Sequence, residues 1–437
     1  MAIFTSFFPG GIYPDHYNPP LPEFDYLPFF EEIVDFDKAT QTTHTSSAIN
    51  FDLANGLKLK LVGSGFTFGS GGNATGGTVT GFVVYLHNGT TKMQQLTGLN
   101  ISLETFLDAA AAYNQFDLAR FLMRGNDTLT GNGGDQTLIG YAGNDTFIGG
   151  AGGDFVQGGE GKDTYDGNGS DGDTLAFDDA YYTPTAFRGI ALDSTKGTVI
   201  DAWGNIETFR EFENFRGTQF RDSFIGSSID EQFMGLGGRD TIDGGGGFDV
   251  VRYDRDQRRE GTGSVTVNLV TQRAIDGFGQ LDTLKNIEGA RTGSASDKLY
   301  GNSVDNLLRA GGGNDLLSGG LGNDNLRGEG GRDTFLFNTA LNATTNVDNI
   351  RDFDAAADTI RLENAIFSAL TATGTLASVA FRANTTGLAA DSTDRIIYET
   401  DTGELYYDSN GNAAGGGVHF ATIENKVALT AADFFIV

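Results

Sequence analysis

The stretch Gly125-Asn126-Asp127-Thr128-Leu129 returns as Gly143-Asn144-Asp145-Thr146-Phe147, Gly152-Gly153-Asp154-Phe155-Val156 and Gly161-Lys162-Asp163-Thr164-Tyr165. Gly134-Asp135-Gln136-Thr137-Leu138 fills the slot after the first, in register but with Gln where the acid belongs. The period is nine residues, and self-similarity at a fixed period decides an architecture before local propensity does. Glycines reach backbone angles that other residues avoid, so a short turn can aim its carbonyls at one spot. The aspartate adds a charged oxygen there, and the apolar residue two places on faces inward from a short strand. A flexible shell made only of oxygens suits a hard cation, and Ca²⁺ better than Mg²⁺.

A second array keeps this phase through Asp222, Glu231, Asp240 and Asp249, with Phe224, Phe233, Ile242 and Val251 as apolar partners. A third runs through Asp297, Asn306, Asp315, Asp324 and Asp333, with Leu299, Leu308, Leu317, Leu326 and Phe335. The fourteen slots hold eleven Asp, one Glu, one Gln and one Asn, which gives every slot an oxygen donor. Three registered arrays of this kind resemble the RTX (repeats-in-toxin) family of secreted calcium-binding proteins. The resemblance implies a parallel β-roll in which two nonamers make one coil, repeats n and n+2 stack on one side, and Ca²⁺ sits between adjacent turns. On this chain it implies Asp127, Asp145 and Asp163 along one side of the first roll, with Gln136 and Asp154 on the other. Gln136 and Asn306 then stand as weak points, with Asp305 beside Asn306 as a substitute. The metal positions it implies are Asp127, Asp145, Asp154, Asp163, Asp222, Glu231, Asp240, Asp249, Asp297, Asp315, Asp324 and Asp333.

Composition fits several bound Ca²⁺ ions. The chain has 64 Gly and a net charge of −29, an excess that repels itself in any compact state. Hydrophobic residues at 39% and aromatics at 11% are too many for a solvated tail. Roughly eight Ca²⁺ ions would cancel more than half of the charge, and metal-binding free energy then becomes folding free energy. So acidic a chain is not expected to bind nucleic acid. With no Cys there is no disulfide framework and no thiolate metal site.

Residues 2–9 lack a basic region, an apolar core and a cleavage site, so export without an N-terminal signal peptide is expected. No apolar run approaches the length of a transmembrane segment. Residues 346–437 carry Asp348-Asn-Ile-Arg-Asp352-Phe-Asp354, Asp358-Thr-Ile-Arg-Leu362, Asp394-Arg-Ile-Ile-Tyr398 and Leu405-Tyr-Tyr-Asp408. The chain finishes Asp433-Phe434-Phe435-Ile436-Val437. This region resembles the C-terminal domain of RTX cargo for the bacterial type I secretion machinery, whose uncleaved signal ends in an acid and a few apolar residues. The resemblance implies an extracellular or cell-surface protein that leaves a low-calcium cytosol unfolded and folds outside.

The expected fold class is all-β: a parallel β-roll or β-helix body between a small β-rich N-terminal capping domain with one or two short helices and a β-rich C-terminal domain. The boundaries read as a proline- and aromatic-rich arm at 1–46, the capping domain at 47–124 and roll 1 at 125–177. A strand insert at 178–216, roll 2 at 217–253 and a second insert at 254–289 follow. Roll 3 spans 290–337, and a C-terminal capping and secretion domain spans 338–437. Six of the seven prolines lie in the first 28 residues among many aromatics, which excludes regular helix there and leaves an arm that wraps its own domain or docks on another molecule. Asn55-Gly56 marks a hairpin turn, and Ser102 is placed as the N-cap of a helix. Asp401-Thr-Gly403 and Asn410-Gly411 mark hairpin turns near the end. Asp408-Ser-Asn410-Gly-Asn412 also resembles a short calcium loop without the distal Glu of an EF-hand, and the hairpin is the favoured reading.

Catalytic signatures do not emerge. His16, His44, His87 and His419 are scattered and no H-E-x-x-H occurs. No Ser has Gly at both −2 and +2, and there is no P-loop, Cys or Asp-Pro bond. His87 reads as a surface turn residue, and His16 as the one position worth probing for chemistry. The expected function is a secreted, calcium-dependent, non-enzymatic structural or surface protein: a surface-layer, matrix or adhesin component. Its expected partners are further copies in a sheet or filament, or a cell-surface polysaccharide. The alternatives are a polysaccharide-modifying enzyme on a β-helix scaffold, since related rolls lie beside alginate-modifying domains, and a membrane-active RTX protein. Against the latter stand missing long apolar helices and no obvious acylated-Lys region.

Overall fold

A computed structural model describes residues 2–6, 34, 39–112, 115–169, 172–181 and 183–437. They form two compact units, residues 1–218 and 219–437. The proline-rich stretch and His16 lie outside the described residues.

In the first unit the nonamers alternate between two parallel stacks. Thr128–Thr130, Thr146–Ile148, Thr164–Asp166 and Ile206–Arg210 pair in order along one. Thr137–Ile139, Phe155–Gln157, Thr174–Ala176 and Asn214–Arg216 pair along the other. Each strand sends an apolar residue inward. Leu129, Phe147, Tyr165 and Phe209 therefore stack in one buried row, and Leu138, Val156, Leu175 and Phe215 in the other. Each such side chain contributes about 1.5–3 kcal/mol of burial, and Phe147 stacks on Tyr165 at 5.2 Å. Coils this close need glycine: Gly161 has φ +144°, and a Cβ there would collide with the carbonyl of Gly143.

The capping sheet is an antiparallel meander of Thr40–Thr45, Ala48–Asp52, Lys58–Phe68, Ala74–Tyr85 and Lys92–Ser102. The chain turns at Gly56, φ +84°, with Asn55 Oδ1 accepting the Leu57 N–H, as the Asn-Gly pair predicts. Ser102 caps the helix Leu103–Ala112 by accepting the Thr105 N–H at 3.0 Å, and Gln115–Leu122 leads into the roll. The region read as an arm at 1–46 is only partly separate from this sheet. Ile3–Ser6 runs antiparallel to Lys92–Ser102 and parallel to Thr128–Thr130, and Phe4 is fully buried. Phe4 therefore serves its own unit.

The second unit repeats the plan with longer stacks. Gln232–Met234, Val250–Arg252, Gly289–Arg291, Leu307–Arg309, Asn325–Arg327 and Asp348–Ile350 form one. Thr266–Asn268, Lys298–Tyr300, Leu316–Ser318, Thr334–Phe337, Thr359–Leu362 and Phe434–Ile436 form another. Both units carry an antiparallel hairpin feeding a third strand into the stack. Thr266 pairs with Ile275 as Ala191 pairs with Ile200, each 75 residues further on. Near the end, Ile396–Glu399, Glu404–Asp408 and Gly417–Ile423 form an antiparallel sheet. Its two turns hold Gly403 and Gly411 at positive φ. The Asp408 segment is the second of these turns, with Asp408 Oδ1 accepting the Asn410 N–H.

Candidate metal centres

The inward turn of each stack forces its phased side chain to lie over the neighbouring turn, where it is shut off from solvent. Asp127, Asp145, Asp154, Asp163, Asp222, Glu231, Asp240, Asp249, Asp297, Asp315, Asp324 and Asp333 are all no more than 2% exposed. In Asp145, Asp154, Asp163, Asp240, Asp249, Asp297, Asp315, Asp324 and Asp333 one carboxylate oxygen accepts a main-chain N–H from an adjacent turn. Asp145 Oδ1 accepts the Asp127 N–H at 2.7 Å, and Asp163 Oδ1 accepts the Asp145 N–H at 2.7 Å. Asp315 Oδ1 accepts from Asp297, and Asp333 Oδ1 from Asp315, in the same way. The Ala2 N–H closes the first column on Asp127 Oδ1.

The second oxygen is the telling one. In Asp127, Asp145, Asp240, Asp249, Asp297, Asp315, Asp324 and Asp333 it is buried and meets no hydrogen-bond donor. Such an oxygen is costly to leave bare. A Cβ on Gly140 would strike Asp145 Oδ2, and one on Gly328 would strike Asp333 Oδ2. Glycine thus clears a cradle that the carboxylate enters and does not fill. Burial, with neighbouring carboxylates next, pushes Asp145 up to about 8, Asp240 to about 10 and Asp315 to about 7. Lysine and arginine sit elsewhere: Arg210 pairs with Asp166 and Lys285 with Asp243, at the outer ends of the strands. Among the described residues no three Asp, Glu or His side chains converge as a ready-made metal group. An ion in these cradles would be completed by turn carbonyls and water, a shell that suits Ca²⁺ and not a closed tetrahedral metal site.

Two phased positions solve the turn differently. Gln136 Nε2 donates to the Gly133 carbonyl at 3.1 Å, and Asn306 Nδ2 donates to the Glu288 carbonyl at 3.0 Å. Asp305 does not stand in for Asn306. It is exposed and accepts the Asn323 N–H, as Asn126 accepts from Asn144 on the outside of the first roll.

Seven acids outside the nonamer phase continue the columns, the first being Asp173, which accepts the Asp154 N–H. Glu207 accepts the Asp163 N–H and Glu213 that of Asp173. Asp282 accepts from Asp240 and Glu288 from Asp249. Asp348 accepts from Asp324 and Asp358 from Asp333. Their shared signal is an acid two residues before an inward apolar residue, as in Glu207-Thr-Phe209, Asp282-Thr-Leu284 and Asp358-Thr-Ile360.

The C-terminal residues are integral to the second unit. Asp433 and Thr430 cap one another at the short helix Ala431–Asp433, and Phe434 and Ile436 are buried while Phe435 is 42% exposed. The described histidines make ordinary contacts: His87 to the Gly56 carbonyl, His419 to the Ala421 carbonyl, and His44 stacked on Phe68. Among the described residues no helix is long and apolar enough to cross a membrane.

Parallel stacks with carboxylate-lined glycine turns define a β-roll protein. The family model described as the RTX calcium-binding nonapeptide repeat matches in four copies, over residues 123–146, 139–173, 217–257 and 295–335. These segments carry RTX calcium-binding nonapeptide repeats. Among solved structures it is similar to the AlgE6R3 subunit of the Azotobacter vinelandii mannuronan C5-epimerase, at 23% identity and a TM-score of 0.19, covering 49% of this chain and 77% of that one. It is also similar to the extracellular lipase LipA from Serratia marcescens, at 14% identity and a TM-score of 0.13, covering 72% of this chain and 38% of that one. Comparison with curated proteins gives no match.

Proposed function

We propose that this is a secreted, non-enzymatic surface or matrix protein whose rolls fold on extracellular Ca²⁺, held by the twelve phased Asp and Glu positions together with turn carbonyls. The observation that carries this reading is the set of buried carboxylate oxygens that meet no donor. Ca²⁺ is the partner that makes such columns stable at neutral pH. Assembly into a sheet or filament, or attachment to a cell-surface polysaccharide, is the role proposed for the folded body. The histidines support a non-catalytic role, since each described one is occupied by a strand or turn contact. Electron microscopy of the full chain in millimolar calcium tests assembly: ordered arrays that dissolve in chelator are expected, and monomers in both conditions would remove the lattice reading. Export through type I secretion machinery is tested at the C-terminus. Deleting Asp433–Val437 should retain the chain inside the cell, and normal export of that truncation would place the signal elsewhere.

A further inference from the structure

Beside the second unit's hairpin lie two acids that belong to no nonamer. Asp256 opens the short helix Asp256–Arg259, and Asp276 follows the strand Arg273–Ile275. Both are buried, at 1% and 0% exposure. Each has one oxygen engaged by main-chain N–H groups. Asp256 Oδ2 accepts from Gly277 at 2.9 Å, and Asp276 Oδ1 accepts from Phe278 at 3.0 Å and Gln280 at 2.6 Å. The remaining oxygens, Asp256 Oδ1 and Asp276 Oδ2, are buried and meet no donor.

The two carboxylates flank a single peptide, because the N–H that binds Asp256 belongs to the residue after Asp276. A carbonyl lies at the same place: a Cβ on Gly277 would stand 2.7 Å from the Gly261 oxygen and 3.0 Å from Asp256 Oδ2. Asp282, close enough for its charge to act on Asp256, accepts the buried Tyr253 hydroxyl at 3.0 Å. Burial first, then the charges of Asp276, Asp282 and Asp254, push Asp256 up to about 8. Asp254 is paired with Arg252 and Arg291, whereas among the described residues Asp256, Asp276 and Asp282 gather negative charge without an ion pair.

The equivalent hairpin of the first unit shows how a protein satisfies such an oxygen by itself. Asp201 occupies the place of Asp276, and its Oδ1 likewise accepts the N–H groups two and four residues on. Its Oδ2 is met by Asn205 Nδ2 at 2.9 Å. In the second unit the residue at that position is Gln280, and Asp276 Oδ2 receives nothing from it.

We propose that Asp256 and Asp276 form an additional site for a hard divalent cation, Ca²⁺ in the protein's setting, off the nonapeptide columns and completed by main-chain carbonyl and water. The site rests on the reading that the chain binds calcium, so the test separates the two claims. The full chain is loaded with calcium, and bound ions are counted by native mass spectrometry in wild type, Asp256→Asn, Asp276→Asn and Asp201→Asn. Either of the first two variants should hold one ion fewer than wild type, and Asp201→Asn should hold the same number. A wild type without calcium would remove the whole calcium reading. An unchanged count in Asp256→Asn and Asp276→Asn would remove only this site. Should those variants fail to fold, a terbium-soaked crystal of the wild type decides. Anomalous density between Asp256 Oδ1 and Asp276 Oδ2 supports the site. Those oxygens without density, sharing a proton in hydrogen-bond contact, overturn it.

Discussion

Two columns of the first roll differ in the residue at their head. One runs Asp127, Asp145, Asp163 and leaves bare buried oxygens on its first two members. The other starts at Gln136, whose amide nitrogen reaches the Gly133 carbonyl. The first arrangement presents carbonyls and a carboxylate to the same place and calls for a positive charge. The second supplies a donor from the side chain itself. Asn306 repeats the amide solution in the second unit, and Asn205 does so beside Asp201. In a buried oxygen-rich turn, an amide nitrogen and a cation are alternative answers to the same deficit of donors.

The broadest way to break this comparison is pH, because it acts on every acid column at once. Asp145, Asp240 and Asp315 have folded values above the ordinary carboxylate range. In chelator the fold therefore keeps protons that the unfolded chain has lost, and stability falls as pH rises from ~4 through those values. With calcium bound the carboxylates are held charged and their folded values drop below the unfolded ones. Stability is then present above the unfolded value and lost as pH falls through the folded one. Thermal melts at several pH values should slope in opposite directions with and without calcium, and parallel slopes would show that the columns do not hold the ion.

Single substitutions sharpen the contrast. Asp145→Ala removes both a proposed ligand and the acceptor of the buried Asp127 N–H, and should cost ~2–3 kcal/mol in calcium by denaturant melts. Gln136→Asp should lower the calcium midpoint for folding of the first roll, because it exchanges the amide donor to the Gly133 carbonyl for a carboxylate. An unchanged or higher midpoint would show that Gln136 is not an amide stand-in. Asp305→Ala should change stability by less than about 0.5 kcal/mol, since Asp305 is exposed and its bond to Asn323 lies on the outer face. A larger loss would mean that the outer ladder bears on the columns.

The rolls were legible because their determinants are periodic and local: phase alone names the inward apolar residues of each stack and, two residues before each, the Asp, Glu, Gln or Asn of the turn. The acids in the hairpins were not, because Glu207 and Asp282 reach their partners across 44 and 42 residues instead of 18. No count of nonamers arrives at them. Ile3–Ser6 was hidden for a related reason. Nothing periodic marks it, and its closing bond joins Ala2 to Asp127 across 125 residues. Asp305 was misjudged because adjacency in sequence does not give the side of a strand or turn that a side chain occupies.

Far-UV circular dichroism of the full chain at pH 7.5, titrated from excess EGTA into calcium, tests the central claim most directly. A largely disordered spectrum is expected in chelator, with a cooperative gain of β-signal at ~10⁻⁴–10⁻³ M Ca²⁺ that Mg²⁺ does not reproduce. A chain fully folded in EGTA at that pH would contradict the claim.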